Sequence, residues 1–220
     1  QAPDFVWTEY TEEELLAAEW LQVAALPSVG AAQPERNMAW ERTTMEGGCP
    51  RCAVGMRQVA PFRIRREPRM GKNAFTSVDN FPMPLFCIPE VVEALRAHGL
   101  RGYEDWPVLI HRSGEPCAGL RQLYATTVAE PALVLELAER ERFAEEPCPE
   151  YGHQRFNPYT RGMMPMRRSA LHADVDFQLT HEWFGSHRAA RRQMLVSQRF
   201  ARLVVERRWK GIVLWPLQLV

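Results

Sequence analysis

Cys49-Pro-Arg-Cys52 has the shape of a metal knuckle. Two residues between thiolates let both sulfurs turn toward one cation, and the small residues Ala53 and Gly55 that follow suit a tight turn. A second spot, Cys148-Pro-Glu-Tyr151-Gly152-His153, reads as a Cys-Pro-x-Cys-Gly knuckle whose second cysteine has become Tyr151. His153 stands two residues on and offers an imidazole in its place. Cys49, Cys52, Cys148 and His153 together would form a tetrahedral, closed and therefore structural zinc site. A metal-free vestige of such a site and a redox pair are the alternatives at this point. The redox reading lacks the strand–CxxC–helix pattern that lowers a thiol pKa. Five cysteines, an odd number, do not suggest a disulfide framework and fit a reducing compartment. Cys87 and Cys117 have no partner motif and read as small buried hydrophobes.

His172-Ala-Asp174-Val-Asp176 and His181-Glu182-Trp183-Phe184-Gly185-Ser-His187 crowd histidines and acids together, a density that suits a catalytic metal or a general base. No HExxH, nucleophile elbow or phosphate-loop pattern accompanies them, so a structural role is the better expectation. Asp174 and Asp176 alternate with Val175 and Phe177 as in a strand with one polar face. Trp183 and Phe184 are either core or, beside Arg188, Arg191 and Arg192, the makings of a protein-binding hot spot. Trp183, Phe184, Arg188 and Arg191 are the candidate partner-binding anchors. Arg63, Arg65, Arg66 and Arg69 read most simply as a solvated face.

The elements that would position these residues are unevenly legible. Thr11 and Glu14 form a capping box, and Leu16, Trp20 and Val23 then recur at helical spacing up to Pro27, predicting an acidic helix over 11–26. Residues 27–48 read as an irregular connection. Phe62-Arg63-Ile64-Arg65 alternates like an exposed strand, and 66–84 is broken by prolines and a glycine. A helix is expected over 88–99, with Pro89 in its first turn and Gly99 at its end, followed by a strand over 106–110. Residues 120–128 predict another strand, 131–142 is ambiguous with a lean to helix, and 152–172 looks irregular. The chain should close with a strand at 194–196, Ser197 as N-cap, a helix over 198–209, Gly211 as its stop, and a strand over 212–217.

Leu100-Arg101-Gly102-x-x-x-Trp106-Pro107-Val108 matches Trp209-Lys210-Gly211-x-x-x-Trp215-Pro216-Leu217 at an offset of 109. Each copy follows an amphipathic helix, and the two cysteine spots lie at a similar offset of 99. The expected fold is one α+β domain over 1–220 with two related helix–Gly–strand units, the first half running to about 128. Trp106 and Trp215 should be well buried at comparable places.

With 220 residues, 46% apolar and 25% charged, the chain can bury a sizeable core, and its composition excludes disorder and collagen-like structure. No run is long and apolar enough for a transmembrane helix, so no membrane partner is expected. The formal charge is zero from 27 bases and 27 acids, which argues against a general nucleic-acid coat. Charge is unevenly spread: the first twenty residues carry six acids and no base, while 186–210 carries seven arginines and Lys210 against Glu206 alone.

The two knuckles about one hundred residues apart resemble the double-CXXCG motif family, a paralogous group abundant in myxobacteria. So do Asp174-Val-Asp176-Phe177, Glu182-Trp183-Phe184-Gly185 and Leu195-Val196-Ser197-x-Arg199-Phe200 with Gly211. The resemblance covers roughly 45–220 and departs at Ala53, where the pattern has glycine, and at Tyr151, where it has cysteine. Members are regarded as immunity proteins of contact-delivered swarming-inhibition toxins, within the wider class of polymorphic toxin systems. The resemblance implies a non-enzymatic, cytoplasmic protein that binds and neutralises one cognate toxin. Two other classes stay open: a zinc-ribbon accessory protein binding nucleic acid through 63–69 and the C-terminal arginines, and a partner subunit of a metal-dependent enzyme using His172 to His187.

Overall fold

A computed structural model describes residues 8–79, 81–138, 146–159 and 161–220. The chain runs α1 (Glu12–Ala17), β1 (Trp20–Ala25), α2 (Ala39–Thr44), β2 (Met45–Gly47), β3 (Met56–Gln58), β4 (Arg63–Ile64), β5 (Phe75–Val78), β6 (Phe81–Cys87), α3 (Pro89–Ala97), β7 (Tyr103–Ile110) and β8 (Pro116–Ala125). It continues with β9 (Met164–Met166), β10 (Phe177–Leu179), β11 (Met194–Ser197), α4 (Gln198–Glu206) and β12 (Ile212–Leu219). The fold is α+β, as the sequence predicts.

Two five-stranded sheets carry the molecule, ordered β4-β7-β8-β6-β5 and β9-β12-β1-β11-β10. Position for position they pair alike. The outer pairs β4–β7 and β9–β12 are parallel, and every other pair is antiparallel. The registers agree too: Trp106 stands opposite Gln122, and Trp215 stands opposite Gln22. The duplication read from the 109-residue offset is therefore present, with a twist in connectivity. In the first unit the central strand β8 follows β7 directly. In the second that place is taken by β1, from the other end of the chain. Trp106 and Trp215 occupy equivalent positions but are half-buried rather than well buried. Trp106 stacks on Tyr124 at 4.6 Å and donates its ring N–H to Glu104.

The units hold each other reciprocally. The carbonyl of Lys210 accepts from the amides of Ala74 and Phe75, and that of Arg101 accepts from Asp176 and Phe177. Gly211 and Gly102 follow these carbonyls at φ +86° and +91°. A Cβ at Gly211 would fall on the Phe75 carbonyl oxygen, and one at Gly102 on that of Phe177. Phe75 and Phe177 both meet Phe200 of α4 edge to face, at 6.0 and 5.0 Å. One apolar cluster spanning both units includes them with Leu21, Leu95 and Leu123.

Several expectations need correction. The helix predicted over 11–26 ends at Ala17; its capping box forms in both directions, but Trp20–Ala25 is the central strand of the second sheet. Five of the six β1 residues are buried, so the strand has no polar face to set a period of two, and Leu16, Trp20 and Val23 mimic a helical stripe. The proline-broken 66–84 nevertheless contains β5 and the start of β6, and the irregular 152–172 contains β9. Residues 131–138 form no helix: Leu133 bridges Met166 and a turn follows, while 139–142 lie outside the described residues. β4 alternates as expected, but with Phe62 and Ile64 fully buried. The last helix ends at Glu206 and the chain reverses at Arg208, φ +52°, ahead of Gly211. Ser197 occupies the N-cap position without capping; its hydroxyl donates to Asp176 at 2.6 Å.

Candidate metal centre

The first knuckle is the tip of the β2–β3 hairpin, in which Gly47 pairs with Met56. Inside it the Cys49 amide donates to the Val54 carbonyl at 2.8 Å, and the Ala53 amide to the Cys49 carbonyl at 2.8 Å. The second knuckle repeats both bonds, from Cys148 to His153 at 3.0 Å and from Gly152 to Cys148 at 2.7 Å. Ala53 thus occupies the place of Gly152, and their φ values are +62° and +67°. Tyr151 occupies the place of Cys52. Its side chain turns out to solvent and stacks on the His153 ring at 5.8 Å.

Cys49, Cys52, Cys148 and His153 converge, as their types and spacing predict. Their ligand atoms all lie within 4.8 Å of one another, and the three cysteines are buried. Cys49 Sγ is 3.8 Å from Cys148 Sγ, and Cys52 Sγ is 3.5 Å from His153 Nδ1. A tetrahedral ion with bonds of about 2.3 Å to sulfur and about 2.05 Å to nitrogen requires separations of about 3.8 and 3.5 Å. These two separations match, and the four groups could hold a metal ion. Burial pushes the Cys52 thiol up to about 11, helped by the neighbouring thiols. At Cys148 burial works the other way from the outcome: the amides of Glu150 and Tyr151 and the two neighbouring thiols bring this thiol below its ordinary value.

Supports for the centre come from distant sequence. Arg188 donates to the Pro50 carbonyl at 2.7 Å and to Glu41 at 3.0 Å, and Arg191 reaches the other Glu41 oxygen at 3.3 Å. Glu41 on α2 and Arg191 are both buried, so this network ties the first knuckle to the 183–193 segment. Arg51 and Glu150, equivalent positions of the two knuckles, form an exposed ion pair at 3.3 Å. Nothing local in sequence marks Glu41, which lies 147 residues from Arg188. The 99-residue offset between knuckles does align Arg51 with Glu150.

The partner-binding candidates fare differently. Phe184 and Arg191 are buried, at 2% and 6% exposure, and cannot anchor a partner. Phe184 packs on Phe156 in the core, and Arg191 is committed to Glu41. Arg188 is half exposed but bound to Pro50 and Glu41, and Trp183 is half-buried beneath Arg192. Among the described residues, the His172–His187 group forms no metal-ligand cluster. His172 Nε2 lies 3.1 Å from the Val128 carbonyl, His181 is exposed, and Glu182 accepts from the amides of Ala132 and Leu133. Asp176 is no member of an open polar face: buried, it accepts from the Arg101 amide, Ser197 and Arg199. Arg65, Arg66 and Arg69 are exposed, as a solvated face requires. No protein-family model matches the chain, and no curated protein matches it in sequence.

Proposed function

We propose that this is a non-enzymatic immunity protein that binds and neutralises a cognate bacterial toxin in the cytoplasm of the producing cell, and that its cysteine cluster holds a structural zinc. The observation that carries the reading is the meeting of two knuckles, one from each unit, in a single four-ligand set. A set of four protein ligands completes a tetrahedron and leaves no position for substrate, which suits a clamp rather than a catalyst. Zinc in that place would fasten the β2–β3 hairpin to the second unit and so fix the surfaces a partner meets. The knuckle residues and the Asp-Val-Asp-Phe to Gly211 segment are the features shared with the double-CXXCG motif group.

Co-expression with the product of the neighbouring gene, which this reading expects to be the toxin, tests the function. Protection of the cells and a one-to-one complex on purification are expected; no protection together with no complex overturns the reading. Zinc is tested separately by elemental analysis of protein purified without chelator. About one ion per chain is expected, lost in Cys148→Ser, and stripping it should lower the melting temperature by several degrees because binding energy at such sites is folding energy.

A further inference from the structure

A second place in the molecule is built to receive something, and it owes nothing to the immunity reading. A cavity of about 340 Å³ opens where β3, β8 and the start of β11 meet. Its walls are mostly apolar, including Met56, Leu123, Leu179, Met194 and Trp183. The size lies at the lower end of ordinary small-molecule pockets, roughly 300–1,000 Å³.

Three arginines border it, and their circumstances differ. Arg57 is paired with Glu46, and Arg191 with Glu41. Arg192 is half-buried, with its guanidinium 5.4 Å from the centre of the Trp183 ring, and it has no ion pair among the described residues. Glu182 bears on it electrostatically from beyond ion-pair distance, while one Glu182 oxygen accepts from the amides of Ala132 and Leu133. The Gln58 and Gln122 amides on the same wall satisfy each other, at 2.7 and 2.9 Å. Among the described residues, the cavity therefore presents one partly desolvated cation without a direct ion pair beside an apolar hollow. Desolvation strengthens the attraction of such a cation for an anion, and the planar guanidinium fork matches a carboxylate.

We propose that this cavity binds a small apolar monocarboxylic acid, of one or two rings or a medium chain. Its carboxylate meets Arg192, and its body lies against Trp183, Leu123 and Met194. A monoanion suits the site, because Arg192 is the one bordering arginine without an ion pair among the described residues.

The probe is 2-naphthoate, with 2-naphthamide as its neutral counterpart, titrated calorimetrically into the intact protein. Wild type is expected to bind naphthoate at least tenfold more tightly than naphthamide. Arg192→Gln should erase that preference. Val128→Trp, at the exposed rim of the cavity, should block both ligands. No binding of naphthoate at millimolar concentration, equal affinity for the two probes, or an Arg192→Gln protein that keeps the preference would each overturn the proposal. Should Arg192→Gln fail to fold, the naphthoate–naphthamide comparison on wild type and the Val128→Trp block decide it alone.

Discussion

At Ala53 the backbone holds φ at +62°, where an L side chain costs roughly 1–2 kcal/mol and glycine costs far less. Gly152 fills the equivalent turn. Ala53→Gly should therefore stabilise the protein by about 1 kcal/mol, raising the melting temperature by about 2–4 °C in a calorimetric scan; an unchanged or lower value would mean the turn is not strained. The thiols make a second test. Burial pushes the Cys117 thiol up to about 12, with the Glu67 carboxylate adding to it, and burial pushes Cys87 higher still. A raised thiol pKa means less thiolate at any given pH, and Cys148, shifted down, has more. In chelator-treated protein at pH 8, iodoacetamide should leave Cys87 and Cys117 unmodified until the protein unfolds, as mass spectrometry of digests would show. Rapid labelling of Cys117 in the folded protein would contradict this. The converging cysteines and His153 were legible in sequence because knuckle geometry is local: two thiols and their turn lie within a few residues. Glu41 was not legible, since its partners Arg188 and Arg191 reach it only through the fold.

Among the elements, the misreading of β1 is instructive. Trp20–Ala25 has the apolar spacing of a helix face, yet its neighbours in space are β11 and β12, more than 160 residues away in the chain. A central strand's pattern is set by the sheets on either side of it, which a local window does not contain. α3 and α4, by contrast, were legible because each carries its own amphipathic stripe and its own start and stop residues. The turn after each helix is the most constrained point in each unit. At Gly211 both the positive φ and the approach of the Phe75 carbonyl exclude a side chain. Gly211→Ala should cost about 3 kcal/mol or more, read as a shift in the urea midpoint. The same change at Gly102 should cost about as much, since its surroundings are the same. Gly114, also at positive φ but with nothing near its missing Cβ, is the control, and Gly114→Ala should be much milder. Comparable losses at all three glycines would refute the close-approach argument.

On the scale of the whole molecule, two units of one topology share a core and meet at a four-ligand cluster, but their strands are dealt out differently along the chain. The second unit is complete only because β1 arrives from the N-terminal side and enters between β11 and β12. In the first unit the equivalent strand, β8, simply follows β7 across the short connection 111–115. If the sheets are alike because their pairing is energetically alike, chain order should be dispensable. The strand pairs, the reciprocal bonds of Lys210 and Arg101, and the Phe200 contacts would all survive a cut and a rejoining elsewhere. A circular permutant makes the test: Val220 joined to Thr8 through a flexible linker of about ten residues, with new ends between Gly30 and Ala31. A flexible linker of that length adds only a modest closure entropy, since each doubling of a loop costs about 0.6 kcal/mol. In the permutant β1 would follow β12 in sequence, as β8 follows β7. We expect it to fold with the wild-type circular dichroism spectrum, a melting temperature within about 10 °C of wild type, and the same metal content. A permutant that is unfolded, or folded but unable to bring Cys49 and Cys148 to one ion, would show that β1 does not stand in the second sheet as β8 does in the first.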